Sequence, residues 1–228
     1  MSTMSNAGVG LAGALVAAVG TALVVASRAK QTTPSGPGTD LFEDPTTQAK
    51  TEEQLRELVT SKVGTHVDFP KPGITFYDVF PVFQDARASR ALAALIYRHV
   101  RSTHGRVDVV VGLDARGFLL GPVLAMRLGC SFVPVRKPGK LPGAVLSAAY
   151  TKEYGTDGLE MQYSAVRKGD LVVVVDDLMA TGGTVRATCD LIKSLGAVVS
   201  EVVVVIELDE LRGRQNVPGV PIWSVLHY

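Results

Sequence analysis

The chain alternates between two hydrophobic periods. Short, nearly unbroken apolar runs lie at Val107–Leu113, Ser131–Val135, Leu171–Val175, Val198–Glu207 and Val220–Val225. Their length and β-branched content suit strands buried on both faces. Between them apolar residues recur at helical spacing. Ala91, Leu92, Leu95 and Ile96 with His99 mark the inner side of a helix over Asp85–Ser102, and Phe118–Leu128 reads as a second. Val185, Thr188, Cys189, Ile192 and Leu195 form a third set, which Gly196 is placed to stop. Glu52–Val63 reads as a further amphipathic helix. Leu159–Tyr163 alternates like a strand, Pro70–Pro81 is a Pro/Gly-punctuated segment with aromatic residues, and Pro138–Gly158 reads as irregular. Strands alternating with helices predict an α/β domain with a mostly parallel, twisted sheet flanked by helices. In such sheets ligands sit at the carboxyl ends of the strands.

The pattern changes before this domain. Residues 9–26 are an unbroken run of small apolar residues, and residues 27–50 are rich in Thr, Ser, Pro and Gly and read as a linker. The predicted organisation is therefore an N-terminal appendage over 1–50 and one domain over 51–228. The apolar run sits at the lower length limit for spanning a bilayer, about 18 residues, and its Ala and Gly content makes insertion marginal. No Lys or Arg precedes it, although Val24-Val25-Ala26 has the look of a cleavage site. Arg28 and Lys30 follow it, so insertion would leave the domain in the cytoplasm. Two readings stay open: a membrane anchor, or a disordered or interfacial extension.

Composition narrows the function classes. The net charge of +1 over 228 residues leaves no nucleic-acid footprint. Cys130 and Cys189 form no C-x-x-C pair, which fits a reducing compartment. His66, His99, His104 and His227 show no metal-ligand spacing and read as surface or satisfied polar positions.

The densest chemistry lies at Leu171–Thr184, where an apolar strand runs into Asp176-Asp177-Leu-Met-Ala180-Thr181-Gly182-Gly183-Thr184. The two glycines permit a left-handed backbone and close approach of N–H groups to a ligand. The helix that follows offers its N-terminus to an anion. Thr181 and Thr184 add hydroxyl donors. Asp176 and Asp177 would repel a phosphate and fit better as acceptors for ribose hydroxyls. The turn is neither a Walker A loop nor a dinucleotide Gly-x-Gly-x-x-Gly. A sugar phosphate carries both groups that such a turn reads.

Val172–Thr184 resembles the phosphoribosyl-pyrophosphate motif of the type I phosphoribosyltransferases, and within them its wording is most similar to the adenine-specific branch. The resemblance covers about Thr51–Tyr228. It implies the fold of that family with a small hood and lid, and transfer of a phosphoribosyl group to adenine, giving AMP and pyrophosphate. It also implies Mg²⁺ held mainly by pyrophosphate and water, a homodimer, and a cytoplasmic setting. Val111-Gly-Leu-Asp114-Ala115-Arg116-Gly-Phe118 resembles the family's pyrophosphate loop, with a non-proline cis peptide at Asp114–Ala115 and Arg116 as a fork for phosphate oxygens. Arg136, Lys137 and Lys140 match the cations at the start of the lid, the lysines serving partly across a dimer. Tyr150-Thr-Lys-Glu153-Tyr154-Gly155 resembles the lid's catalytic segment, with Glu153 as acid/base at the purine and Tyr154 packing over the site. Asp68–Pro81 resembles the base-reading segment, in which Ile74, Phe76 and Tyr77 would face adenine. Tyr77 stands where the family usually has Arg, which keeps another purine base open as a substrate. A non-catalytic sensor of phosphoribosyl pyrophosphate is a third reading, against which Arg116, Lys140 and Glu153 argue.

Overall fold

The structure, a computed structural model, describes residues 45–152 and 155–228. Helix α1 (Pro45–Gln48) is a single turn, and α2 (Glu52–Thr60) opens on a capping box in which Thr51 and Gln54 satisfy each other's backbone N–H. Strands β1 (Gly64–Val67) and β2 (Thr75–Asp78) pair antiparallel as a separate two-stranded sheet. The short α3 (Phe80–Gln84) leads into α4 (Ala86–Thr103), capped by the Asp85 carboxylate, which accepts from the N–H groups of Arg87 and Ala88. The Lys62 ammonium and then these bonds lower the pKa of Asp85 to about 2.

The main sheet has the order β4-β3-β7-β8-β9, all parallel. Its strands are β3 (Val109–Leu113), β4 (Ser131–Val135), β7 (Leu171–Met179), β8 (Val198–Glu207) and β9 (Ile222–His227). Alternate valines feed two cores. Val110, Val173, Val175, Val203 and Val205 pack with α2, α4 and α5 (Gly117–Leu128). Val109, Val111, Val172, Val174, Val202 and Val204 pack with α6 (Gly183–Ser194) on the other face. Gly117 lets α5 lie directly on the sheet: a Cβ there would sit 2.6 Å from the Val175 carbonyl oxygen. The chain turns left in the sheet after β3 and right after β7, so a topological switch point lies between these two strands.

Two expectations need correction. Pro138–Gly158 is not irregular throughout: β5 (Val145–Lys152) and β6 (Gly155–Gln162) pair antiparallel, from Val145 opposite Gln162 to Lys152 opposite Gly155. The alternation over Leu159–Tyr163 thus caught only the end of β6. Pro70–Pro81 contains β2 and the start of α3. Strand β7 does not stop at Val175 but carries Asp176 and Asp177 through to Met179, because β8 continues alongside it to Glu207.

Buried polar groups are paired rather than catalytic on the far side of the sheet. Glu201 on β8 accepts from His99 at 2.9 Å and His104 at 3.0 Å, and the His99 ring stacks on Trp223. Burial pushes the Glu201 carboxyl up, but the two imidazoles outweigh it and leave it below its ordinary range. Burial raises the Cys189 thiol to about 11, so it is inert at neutral pH. Among the described residues no helix is long and apolar enough to cross a membrane; the apolar run at 9–26 lies outside them.

Candidate active site

The ends of β3 and β7 flank the switch point. From β3 come Asp114, Ala115 and Arg116, with the Asp114–Ala115 peptide cis. From β7 come Asp176 and Asp177, followed by the turn Ala180–Gly182 and the first turn of α6. Gly182 is the α6 N-cap at φ 79°, a conformation L-residues with side chains seldom adopt. The first N–H groups of a helix have no partner within it, so those at Gly183–Val185 are available to an anion.

A pocket of about 260 Å³ gathers these groups. It is lined by Asp114, Arg116, Lys137, Asp176, Asp177 and the whole run Ala180–Thr184, with Leu159 from β6 on one side. The sequence therefore named most of the pocket's polar wall. A larger open crevice of about 1340 Å³ shares Ala180, Thr181, Gly183 and Thr184 and extends to Ile74, Thr75 and Tyr77. Its far side is formed by Leu208, Leu211, Asn216 and Tyr228, none of which the sequence reading singled out.

The charges in the smaller pocket are already in pairs. Arg116 Nε lies 2.8 Å from a carboxylate oxygen of Asp177, and Arg136 Nε lies 3.1 Å from Asp114. Asp177 is 3% exposed. Burial raises its pKa, and the Arg116 guanidinium opposes that rise. Burial and then the neighbouring Asp177 charge push Asp176 well above the usual carboxylate range. Its carboxylate also accepts from the Asp177 N–H at 2.9 Å. Two adjacent acids in a buried place are costly without a partner, and hydroxyl donors from a ribose would supply one.

The remaining candidates are placed less tightly. Arg136 joins β4 to β6 through its backbone, paired with Glu160, and its Nη1 reaches the Lys140 carbonyl at 3.4 Å. Lys140 is exposed and lines neither cavity. Phe76 sits edge-to-face with Phe69, and the Arg116 guanidinium carbon lies 6.0 Å from its ring centre. Tyr77, its neighbour on β2, turns to the opposite face and stacks on Tyr228 at 4.1 Å and 26°. Glu153 and Tyr154 lie outside the described residues.

A switch-point pocket with an acidic pair on one strand, a phosphate-type turn behind it and an arginine loop opposite suits a ribose bearing phosphates. The phosphoribosyl transferase domain matches residues 82–218. The chain belongs to the phosphoribosyltransferase family. Within it, 173 residues are 49% identical to human adenine phosphoribosyltransferase, covering 75% of this chain and 96% of that one. The Caenorhabditis elegans adenine phosphoribosyltransferase is 47% identical over 176 residues, covering 77% and 95%. The fold is similar to the Saccharomyces cerevisiae adenine phosphoribosyltransferase in complex with an imino-altritol bisphosphate and adenine. The TM-score is 0.74 at 39% identity, covering 76% of this chain and 99% of that one. This phosphoribosyltransferase thus shares the adenine branch's sequence over nearly the full length of those relatives.

Proposed function

We infer that the protein transfers the 5-phosphoribosyl group of phosphoribosyl pyrophosphate to adenine, giving AMP and pyrophosphate in purine salvage. The observation that carries this reading is the convergence of Asp176–Thr184 and Asp114–Arg116 on one pocket, in a chain close to half identical to adenine phosphoribosyltransferases. The bond from C1 of the ribose to the pyrophosphate oxygen breaks with its electron pair on that oxygen, and a purine ring nitrogen forms the new bond at C1. Asp176 and Asp177 hold the ribose hydroxyls, the Ala180–Thr184 turn holds the 5-phosphate, and Arg116 and Lys137 face the leaving group. Glu153 manages the purine proton, a role that rests on the resemblance of its segment.

The donor set suits Mg²⁺ brought in by pyrophosphate. Asp177 and Asp114 are each committed to an arginine, so the described pocket is no dedicated carboxylate cage, and Mg²⁺ commonly binds through substrate phosphates and water. Bound there, the ion would offset charge developing on pyrophosphate.

A homodimer belongs to the same proposal. Leu119 and Met126, two turns apart on α5, are 43% and 60% exposed, an apolar strip that a second subunit would cover. The cytoplasmic setting rests on the cysteine content and on Arg28 and Lys30 after the apolar run. Fractionating the full chain against a chain starting at Thr51 tests an anchor at 9–26, which fails if both are recovered soluble.

AMP formation from adenine, measured beside hypoxanthine and guanine with Mg²⁺, tests the function. Adenine should turn over fastest. Faster turnover of a 6-oxopurine would overturn the base assignment.

A further inference from the structure

Residues 208–217 cross from β8 to β9 in two short 3₁₀ turns, Asp209–Leu211 and Gly213–Asn216, and contain no motif that drew attention in the sequence. Arg214 is the centre of this crossing. Its Nε and Nη2 donate to the two oxygens of Glu207 at 2.6 Å each, and Nη1 donates to the Ile222 carbonyl at 2.6 Å. Glu207 is 3% exposed and also accepts from Ser224. A paired fork of this kind fixes an arginine in direction as well as distance. Glu207, Asp209 and His227 lie close enough together to suggest a cation site, yet both Glu207 oxygens are already occupied by the guanidinium.

The next residue back, Gly213, is buried against the outer side of the phosphate-type turn. A Cβ on Gly213 would run into the Ala180 carbonyl and lie 2.9 Å from the Met179 side chain. A Cβ on Gly182 would lie 2.5 Å from the Gly213 carbonyl oxygen. Two residues beyond Arg214, Asn216 Nδ2 donates to the Thr181 carbonyl at 2.8 Å. Ala180, Thr181 and Gly182 are therefore each gripped from outside, while the same three residues line the pocket from within.

We propose that Arg214 and Asn216 are positioning residues of the donor site. Arg214 locks the crossing, and Gly213 and Asn216 then hold the Ala180–Gly182 backbone in the form that presents its N–H groups to the 5-phosphate. A turn held beforehand loses less conformational entropy when the anion binds. The inference rests on the proposed function only in naming that anion as the phosphate of phosphoribosyl pyrophosphate.

The test uses Asn216→Ala, Asn216→Asp and Arg214→Lys in the full chain. Steady-state KM values for both substrates are measured, together with calorimetric binding of phosphoribosyl pyrophosphate with Mg²⁺. Loss of one hydrogen bond should weaken donor binding about five-fold in Asn216→Ala. Asn216→Asp should be weaker still, since a carboxylate would face the Thr181 carbonyl. Arg214→Lys, which keeps the charge but loses the fork, should raise the donor KM at least as much. The KM for adenine should stay within about two-fold, because the Asn216 bond goes to the Thr181 carbonyl of the donor turn and not to the base-reading backbone. Unchanged donor affinity in Asn216→Ala, an exposed substitution that leaves the fold intact, overturns the proposal. So does an equal shift in both KM values. Because the calorimetric arm needs no base turnover, it judges the positioning roles even if adenine proves not to be the substrate.

Discussion

The two halves of the site are held in different ways. The donor half sits at the ends of β3 and β7, inside a five-stranded parallel sheet whose central valines are fully buried. The base half, Ile74–Tyr77, sits on a two-stranded sheet of four-residue strands. Around it Val67, Phe69, Ile74 and Phe80 are 71%, 53%, 44% and 47% exposed. An isolated hairpin is marginally stable, so this half leans on neighbouring surfaces, Tyr77 on Tyr228 and Phe76 beside Arg116. The donor half cannot vary without disturbing the core, whereas Tyr77 on the base half is only partly buried at the edge of the core, so an exchange there costs the fold less. A family that keeps one sugar donor and serves several bases would be built this way.

The largest expected effect falls on the proposed acid/base residue, Glu153. Glu153→Ala should lower kcat by about 10²–10⁴-fold, the usual contribution of a placed proton-transfer group, and change both KM values far less. Steady-state kinetics with each substrate varied in turn read this out. An unchanged kcat would remove Glu153 from the chemical step.

On the donor side, Asp176→Asn should reduce kcat/KM for phosphoribosyl pyrophosphate about ten- to hundred-fold, the weight of a hydrogen bond to a charged group. Its stability effect should run the other way. The Asp176 pKa is raised in the fold by burial and by Asp177, so the native state binds more protons than the unfolded chain above the ordinary value of 3.8. The ligand-free protein therefore loses stability as pH rises from there through the folded pKa. Asp176→Asn should flatten that slope and raise Tm at neutral pH, read by thermal melts from pH 4 to 8. A variant that is both weaker in binding and less stable at pH 7 would show that the pair is not strained in the empty site.

The same contrast governs what the sequence made legible. Strands β3, β7 and β8 declared themselves through continuous valines, and the donor turn through adjacent residues whose chemistry is local. Two kinds of feature stayed hidden. The β1–β2 hairpin is exposed and broken by Gly and Pro between its strands, and β6 carries Gly155 and Gly158, so neither period dominates them. The end of β7 was misplaced because Asp176-Asp177 imitates a strand stop, while pairing with β8 overrides it. Contacts made across the fold leave no local trace at all: Asn216 meets Thr181 across 35 residues, and Tyr228 meets Tyr77 from the opposite end of the domain.

That last contact sets the smallest and most discriminating effect. Tyr77 stacks on Tyr228 along the open crevice, and such a pair is worth about 0.5–1.5 kcal/mol beyond its buried area. Tyr77→Ala should raise the KM for adenine about two- to ten-fold if the stack holds the base-reading backbone in place. Tyr77→Arg installs the residue that the family resemblance implies at this position. A guanidinium can lie flat on the Tyr228 ring, so the loss should shrink to less than about three-fold. In both variants the KM for phosphoribosyl pyrophosphate should stay put, because the donor turn is gripped by Gly213 and Asn216 and not by β2. If Tyr77→Arg moved both KM values together, the halves would be one mechanical unit, and the exposure of the β1–β2 hairpin would no longer explain how the base side can vary alone.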